Sequence, residues 1–262
     1  MNPTTIDTHA HLYDERFDAD RSQMLQRCKD AGVARIFLPN CDHTTIGPML
    51  QLETDYPGQC FAMMGLHPCY VKEDFENELS IMEEWLGKRS FSAIGEIGLD
   101  FYWDKTFVPQ QETAFLRQMD WALQYNRPIV IHSREATQAS IDLVRQKQNG
   151  SLGGIFHCFS GTVEEAKQIV DLGFYLGIGG VVTYKNSNLG EIVRSVGLEA
   201  IVLETDAPYL APVPYRGKRN ESAYIPVVAE AIAKALDVPV EAVSEQTTRN
   251  AQKIFAPFGL VD

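Results

Sequence analysis

The chain has 262 residues, 45% of them hydrophobic, and its 23 Lys and Arg against 35 Asp and Glu give a net charge of −12. That length and apolar content suit one packed domain over residues 1–262, and the acidic balance excludes an extended basic surface of the kind that grips duplex nucleic acid through its phosphates. No basic-then-apolar leader opens the chain, no apolar run reaches the roughly 18 residues of a membrane span, and the five cysteines are odd in number without a C-x-x-C pair, so a soluble protein of the reducing cytoplasm, without a membrane or an obligate protein partner, is expected.

Short β-branched or apolar runs alternate along the chain with longer amphipathic stretches. A strand is expected at 4–8 and a helix at 21–31, then strand 34–38 and helix 44–55, strand 60–66 and helix 78–88, strand 92–98 and helix 110–125. The alternation continues with strand 128–132 and helix 135–148, strand 154–157 and helix 163–172, strand 174–178 and helix 189–196, strand 200–205 and helix 226–236, and a last helix at 241–255. Repeated βα units of this kind predict an α/β fold, a single (β/α)8 TIM barrel, whose usual size is roughly 250 residues. Gly32, Gly173 and Gly197 each separate a helical run from a strand, as glycine C-caps do. A doubly wound sheet would need a glycine fingerprint after its first strand, and that strand runs instead into Asp7-Thr8-His9-Ala10-His11. The late cluster Gly177-Ile178-Gly179-Gly180 reads as close backbone packing at the barrel rim.

Alternation along a strand puts His9 and His11 on one side, where two imidazoles could grip one ion. Taken alone, such a pair is only a moderate signal, since a histidine near a strand end is more often a hydrogen-bonded structural residue than a ligand. Glu96, His132, His157 and Asp206, however, also fall near the carboxyl ends of different expected strands, and in a barrel those ends share the rim where active sites are built. His67 is placed in the same way, so that of the six histidines His43 is the exception. A mixed His and carboxylate set suits Zn²⁺, Mn²⁺ or Fe²⁺, with Mg²⁺ a weaker fit.

Six segments carry a family resemblance. They are Ile6-Asp7-Thr8-His9-Ala10-His11-Leu12, Gly65-Leu66-His67-Pro68, Gly95-Glu96-Ile97-Gly98-Leu99-Asp100, Ile131-His132-Ser133-Arg134, His157-Cys158-Phe159-Ser160-Gly161 and Glu204-Thr205-Asp206-Ala207-Pro208-Tyr209-Leu210. In this order, across nearly the whole chain, they resemble the signatures of the TatD family of metal-dependent deoxyribonucleases, within the amidohydrolase superfamily. The resemblance implies two divalent ions (Zn, Mn or Mg), with His9, His11 and Asp206 on one, His132 and His157 on the other, and Glu96 bridging where much of the superfamily uses a carboxylated lysine. It implies hydrolysis of single-stranded or frayed DNA ends by an activated water, with Glu96 and Asp206 catalytic. Asp206 is either the proton acceptor or purely a ligand.

In the family the His67 position is implicated in holding a substrate phosphate; the alternative is a histidine bonded to loop backbone. Arg134 either contacts phosphate or braces a carboxylate. Glu204, on the strand face of Asp206, either orients a ligand histidine or is a salt-bridged core carboxylate. Tyr215-Arg216-Gly217-Lys218-Arg219-Asn220 is the densest basic cluster, so Arg216 and Arg219 are expected to bind flanking phosphates, or else to be solvated surface. The family commonly continues Arg-Asn-Glu-Pro, whereas Ser222 follows Glu221 here, which predicts a less rigid loop. Trp103 is expected to stack a nucleobase and Phe101 to pack on the barrel. Cys158, opposite in alternation to His157, is expected in the core.

Two other functions fit the same residues. One is hydrolysis of another ester, phosphate or amide, such as an aminoacyl-tRNA ester, and the other is a metal-binding module without catalysis. The intact set of six ligands argues against the second.

Overall fold

A computed structural model describes residues 4–258. Strands and helices alternate: β1 (Thr5–Asp7), α1 (Arg21–Asp30), β2 (Val33–Leu38), α2 (His43–Asp55), β3 (Cys60–Ala62), α3 (Phe75–Lys88), β4 (Ile94–Asp100), α4 (Val108–Tyr125), β5 (Ile129–Arg134), α5 (Thr137–Lys147), β6 (Gly154–Phe156), α6 (Val163–Asp171), β7 (Tyr175–Ile178), α7 (Leu189–Val196), β8 (Ile201–Leu203), α8 (Ile225–Leu236) and α9 (Val240–Phe255). Parallel pairing runs in chain order through β1-β2-β3 and through β4 to β8. Bridges Met64–Ile94 and Ala10–Ala207 join the two runs at their seams, so the sheet closes into the expected (β/α)8 barrel. No helix among the described residues is long and apolar enough to cross a membrane.

Two apolar layers result. The outer one packs helix faces such as Met24, Leu25 and Cys28 of α1 on the strands. The inner one gathers Ile6, Phe37, Met63, Ala93, Val130, Ile155 and Val202 inside the barrel with Ala251, Ile254 and Phe255 of α9. The Phe37 and Phe255 rings stack at 3.6 Å. In β5 and β6 this layer lies two residues before His132 and His157, so α9 closes the barrel on the side away from the histidines.

Gly32, Gly173 and Gly197 have φ of 83, 84 and 80°, the left-handed conformation that costs least without a Cβ. β3 is shorter than expected: backbone pairing persists through Met63 and Met64, but side chains replace the ladder at Gly65 and Leu66, where Asn40 Nδ2 donates to Gly65 O and Gln118 both accepts from Leu66 N and donates to Leu66 O. α5 starts at Thr137 rather than 135, since β5 runs on to Arg134 and Glu135 has φ 52°.

Candidate metal centre

The six expected ligand residues converge in one pocket of about 710 Å³ at the carboxyl ends of the strands, with His9 buried beneath it. Glu96 is the pivot, with only 2% of its surface exposed. Its Oε2 lies 3.1 Å from His9 Nε2 and 3.7 Å from His11 Nε2, and Asp206 Oδ1 lies 3.8 and 3.6 Å from the same two nitrogens. Its Oε1 lies 2.9 Å from His132 Nδ1, 2.9 Å from His157 Nε2 and 3.2 Å from His67 Nε2.

Two local irregularities aim these groups. Alternation from the inward Ile6 would turn Thr8 inward, but β1 ends at Asp7, whose Oδ1 accepts from His9 N across a bend at Thr8. Beyond the bend, Asp206 N donates to His9 O and His11 N to Ala207 O, which draws both histidines toward Asp206. In β4 the register slips between Ile94 and Ile97, and this slip puts Glu96 inside although Ala93 already faces inward.

Neighbouring groups fix which nitrogen of each ring is free. The Tyr13 hydroxyl donates to Pro39 O at 2.6 Å, so at its 2.9 Å contact with His11 it accepts from Nδ1–H. When the ring is neutral, His11 Nε2 is therefore the nitrogen that faces Glu96 and Asp206 with its lone pair. Asp100 Oδ2 takes His132 Nε2–H at 2.8 Å, which frees Nδ1. Glu204 Oε1 stands 3.5 Å from His157 Nδ1. His67 differs: its Nδ1 accepts Cys69 N–H at 3.0 Å, so Nε2 carries the proton of the neutral ring. His67, Glu96 and His132 lie close enough to share an ion, but this tautomer makes His67 a donor toward Glu96 and toward the pocket.

Burial opposes charge on Glu96, yet His67, His157 and His9 hold its carboxyl well below the usual range. Burial likewise opposes charge on His157 and His11, and Glu96 with Glu204, or Cys41 with Asp206, nonetheless raises each well above the usual imidazole value. His9 is lowered, by burial and by His157, whose ring stacks on it at 3.7 Å. Both His9 nitrogens and His157 Nδ1 are buried without an aligned hydrogen bond, the His9 approach to Glu96 included. Buried polar atoms of this kind are rare unless something else satisfies them, and a divalent cation fits the donor set. His9, His11 and Asp206 form one compact group; His9, Glu96 and His157 form another.

The family model for TatD related DNase matches residues 6–256. The chain belongs to the TatD family. A Bacillus subtilis (strain 168) relative, named uncharacterized metal-dependent hydrolase YabD, is 37% identical over 251 residues, covering 95% of this chain and 98% of the relative. The 3'-5' ssDNA/RNA exonuclease TatD of Edwardsiella piscicida is 32% identical over 256 residues, 95% and 98% of the two chains. The crystal structure of YJJV, a TatD homolog from Escherichia coli K12, superposes with a TM-score of 0.92 at 27% identity, covering 98% of this chain and 99% of that one.

Other expected residues of this TatD chain lie as follows. Trp103, 67% exposed, lines the pocket with His67. Arg219 does not: its guanidinium forks onto Asp20 at 2.7 and 2.8 Å, tying the loop to the start of α1. Arg216 stacks 4.5 Å over Tyr184. The loop is not loosened by Ser222, because buried Asn220 donates to Thr205 O and Tyr209 O and Glu221 takes a two-point bond from Arg27. Arg134 braces no carboxylate among the described residues; it lies 3.9 Å over the Tyr102 ring. Cys158 is not a core residue: β6 ends at Phe156, and a left-handed turn at Cys158, φ 46°, brings it to the pocket wall. Tyr13 and Asp100 were missed as positioning groups, although Tyr13 continues the spacing of His9 and His11.

Proposed function

We propose that this TatD-family chain, a metal-dependent hydrolase, acts as one cytoplasmic domain that cleaves phosphodiesters of single-stranded or frayed DNA ends. Glu96 carries the reading: one carboxylate oxygen faces His9 and the other faces His132 and His157, at 2.9–3.1 Å. In this proposal His9, His11 and Asp206 hold one divalent ion, His132 and His157 hold a second, and Glu96 spans them; zinc, manganese or magnesium is the expected species. Such ions, when bound, supply the Lewis-acid charge that activates water and offsets charge on a phosphodiester.

The chain's own groups do the rest. Asp206, held below the usual carboxylate range by His11, His157 and His9 despite burial, is ionised and reaches the pocket, so it can take the proton of the attacking water. His67 presents Nε2–H to a non-bridging phosphate oxygen. Trp103 offers an exposed ring to the terminal base. The name of the Edwardsiella relative, an exonuclease of single strands, supports this substrate class.

The test is release of nucleotides from labelled single-stranded DNA by metal-stripped protein resupplied separately with Mg²⁺, Mn²⁺ or Zn²⁺, with His132→Ala as control. Release that requires an ion and is lost in the variant is expected. No release with any ion, despite metal binding, would move the assignment to other esters and phosphates.

A further inference from the structure

Beside the metal pocket lies a second groove of about 680 Å³, lined by Phe101, Tyr102, Arg134, Thr137, Ser160 and Asn188 among others. Arg134 and Ser160 line both spaces, so the two share a wall. The crest of that wall is an aromatic and guanidinium stack: Arg134 lies 3.9 Å from the Tyr102 ring centre and 5.2 Å from that of Trp103. Trp103 faces the metal pocket and Tyr102 the groove.

Resting on the nuclease reading above, we propose that this groove is a second nucleotide subsite, which takes the base of the nucleotide on the far side of the scissile phosphodiester from Trp103. The groove's volume is within the range of about 300–1,000 Å³ usual for small-ligand sites. Its charge selects the base over a second phosphate. Arg134 is the one cation among its lining residues, placed at the shared wall where the backbone must cross, whereas the other charged lining residues are Glu135, exposed and 3.9 Å from Lys105, and Glu165, whose Oε2 accepts Thr162 N–H. Glu165 Oε1, the oxygen not used by the Thr162 cap, is left to repel phosphate and to accept from an amino or ring N–H group of a base. Tyr102, 47% exposed, supplies the stacking surface with the ring face that Arg134 does not cover. Two neighbouring bases splayed to opposite sides of the Arg134 crest cannot stay paired, so the wall itself selects single strands and frayed ends.

The experiment is a comparison of a single-stranded oligonucleotide with its analogue lacking the base at the penultimate position, using metal-loaded parent protein, Tyr102→Ala and Thr137→Trp. Bis(4-nitrophenyl) phosphate serves as a substrate without bases. In the parent, removing the penultimate base lowers kcat/KM roughly tenfold, the scale of stacking one base on an aromatic ring. In Tyr102→Ala, which removes the platform, and in Thr137→Trp, which fills the groove, that penalty shrinks toward one. Removing the next base inward carries no such dependence on the variants. If the oligonucleotides are cleaved and the penalty is equal in all three proteins, the subsite is wrong while the nuclease reading stands. If only the bis(4-nitrophenyl) ester is cleaved, the nuclease reading fails and the subsite with it.

Discussion

Tyr13 lines the metal pocket beside His11, and its hydroxyl sets the state of that ring. It donates to Pro39 O at 2.6 Å and accepts His11 Nδ1–H at 2.9 Å, fixing Nε2 as the nitrogen that faces Asp206 and Glu96. Tyr13→Phe keeps the buried ring and deletes both bonds. Losing a partner that orients a metal-binding histidine typically lowers affinity about 10- to 100-fold, about 1.4–2.7 kcal/mol. Cys41 Sγ, 3.7 Å from His11 Nδ1, is a weak substitute acceptor and favours the lower end. The orphaned Pro39 carbonyl adds a stability cost of about 1–3 kcal/mol. Titrating metal-stripped protein against a chromogenic chelator should show one of the two proposed sites weakened, the one containing His11, with the other unchanged. Equal weakening of both sites, or none, would refute the tautomer argument.

Gly177→Ala should disturb the Glu204 to His157 contact, since a Cβ there would lie 2.1 Å from Glu204 Oε2 and 3.0 Å from His157 Cα; a stability loss of about 1–3 kcal/mol and weaker metal binding are expected by thermal melting and chelator competition. Because His11 and His157 are held above the usual imidazole value, the metal-free protein keeps protons that an ion must displace, so affinity should rise with pH. Calorimetry in two buffers of different ionisation heat reads that proton release, and its absence at about pH 6 would contradict the assignment. Arg219→Ala breaks a partly exposed pair with Asp20 and should cost about 1 kcal/mol or less, leaving KM for DNA and its salt dependence unchanged; a large rise in KM would restore Arg219 as a phosphate contact. Burial pushes Asp7 up to about 7, so the metal-free folded state holds a proton that the unfolded chain loses near its ordinary value of 3.8. Stability should then fall as pH rises between those values and level off above them, and Asp7→Asn should flatten that slope in urea titrations.

Periodicity made part of the centre legible and residue chemistry made the rest so. In β5, β6 and β8 simple alternation carries the inward face from Val130 to His132, from Ile155 to His157, and from Val202 to Glu204, whereas Asp206 lies beyond β8 with a left-handed φ of 55° and was found through its motif. In β1 and β4 it fails, because the bend at Thr8 and the slip before Ile97 each shift the inward face by one residue. His9 and Glu96 were found there only because their side chains are ligand types in a recognisable motif. The same rule misplaced Cys158, whose left-handed turn begins just after the last residue of β6.

What the sequence hides is partnership between distant residues. Arg219 and Asp20 are 199 positions apart, and nothing in either segment says that the guanidinium meets a carboxylate rather than a phosphate. Once they meet, the consequence for substrate binding reverses. The densest basic cluster of the chain is largely spent within the protein, on Asp20 for Arg219 and on the Tyr184 ring for Arg216, whereas Arg134, a single cation in a motif noted for its histidine, meets no carboxylate among the described residues at the mouth of the site. On the proposed nuclease reading, attraction for phosphate in an acidic protein has to be concentrated at that centre, in ions that the histidines and carboxylates would hold with Arg134 beside them. Removing the ions should accordingly weaken binding of a single strand far more than neutralising Arg216 and Arg219 together.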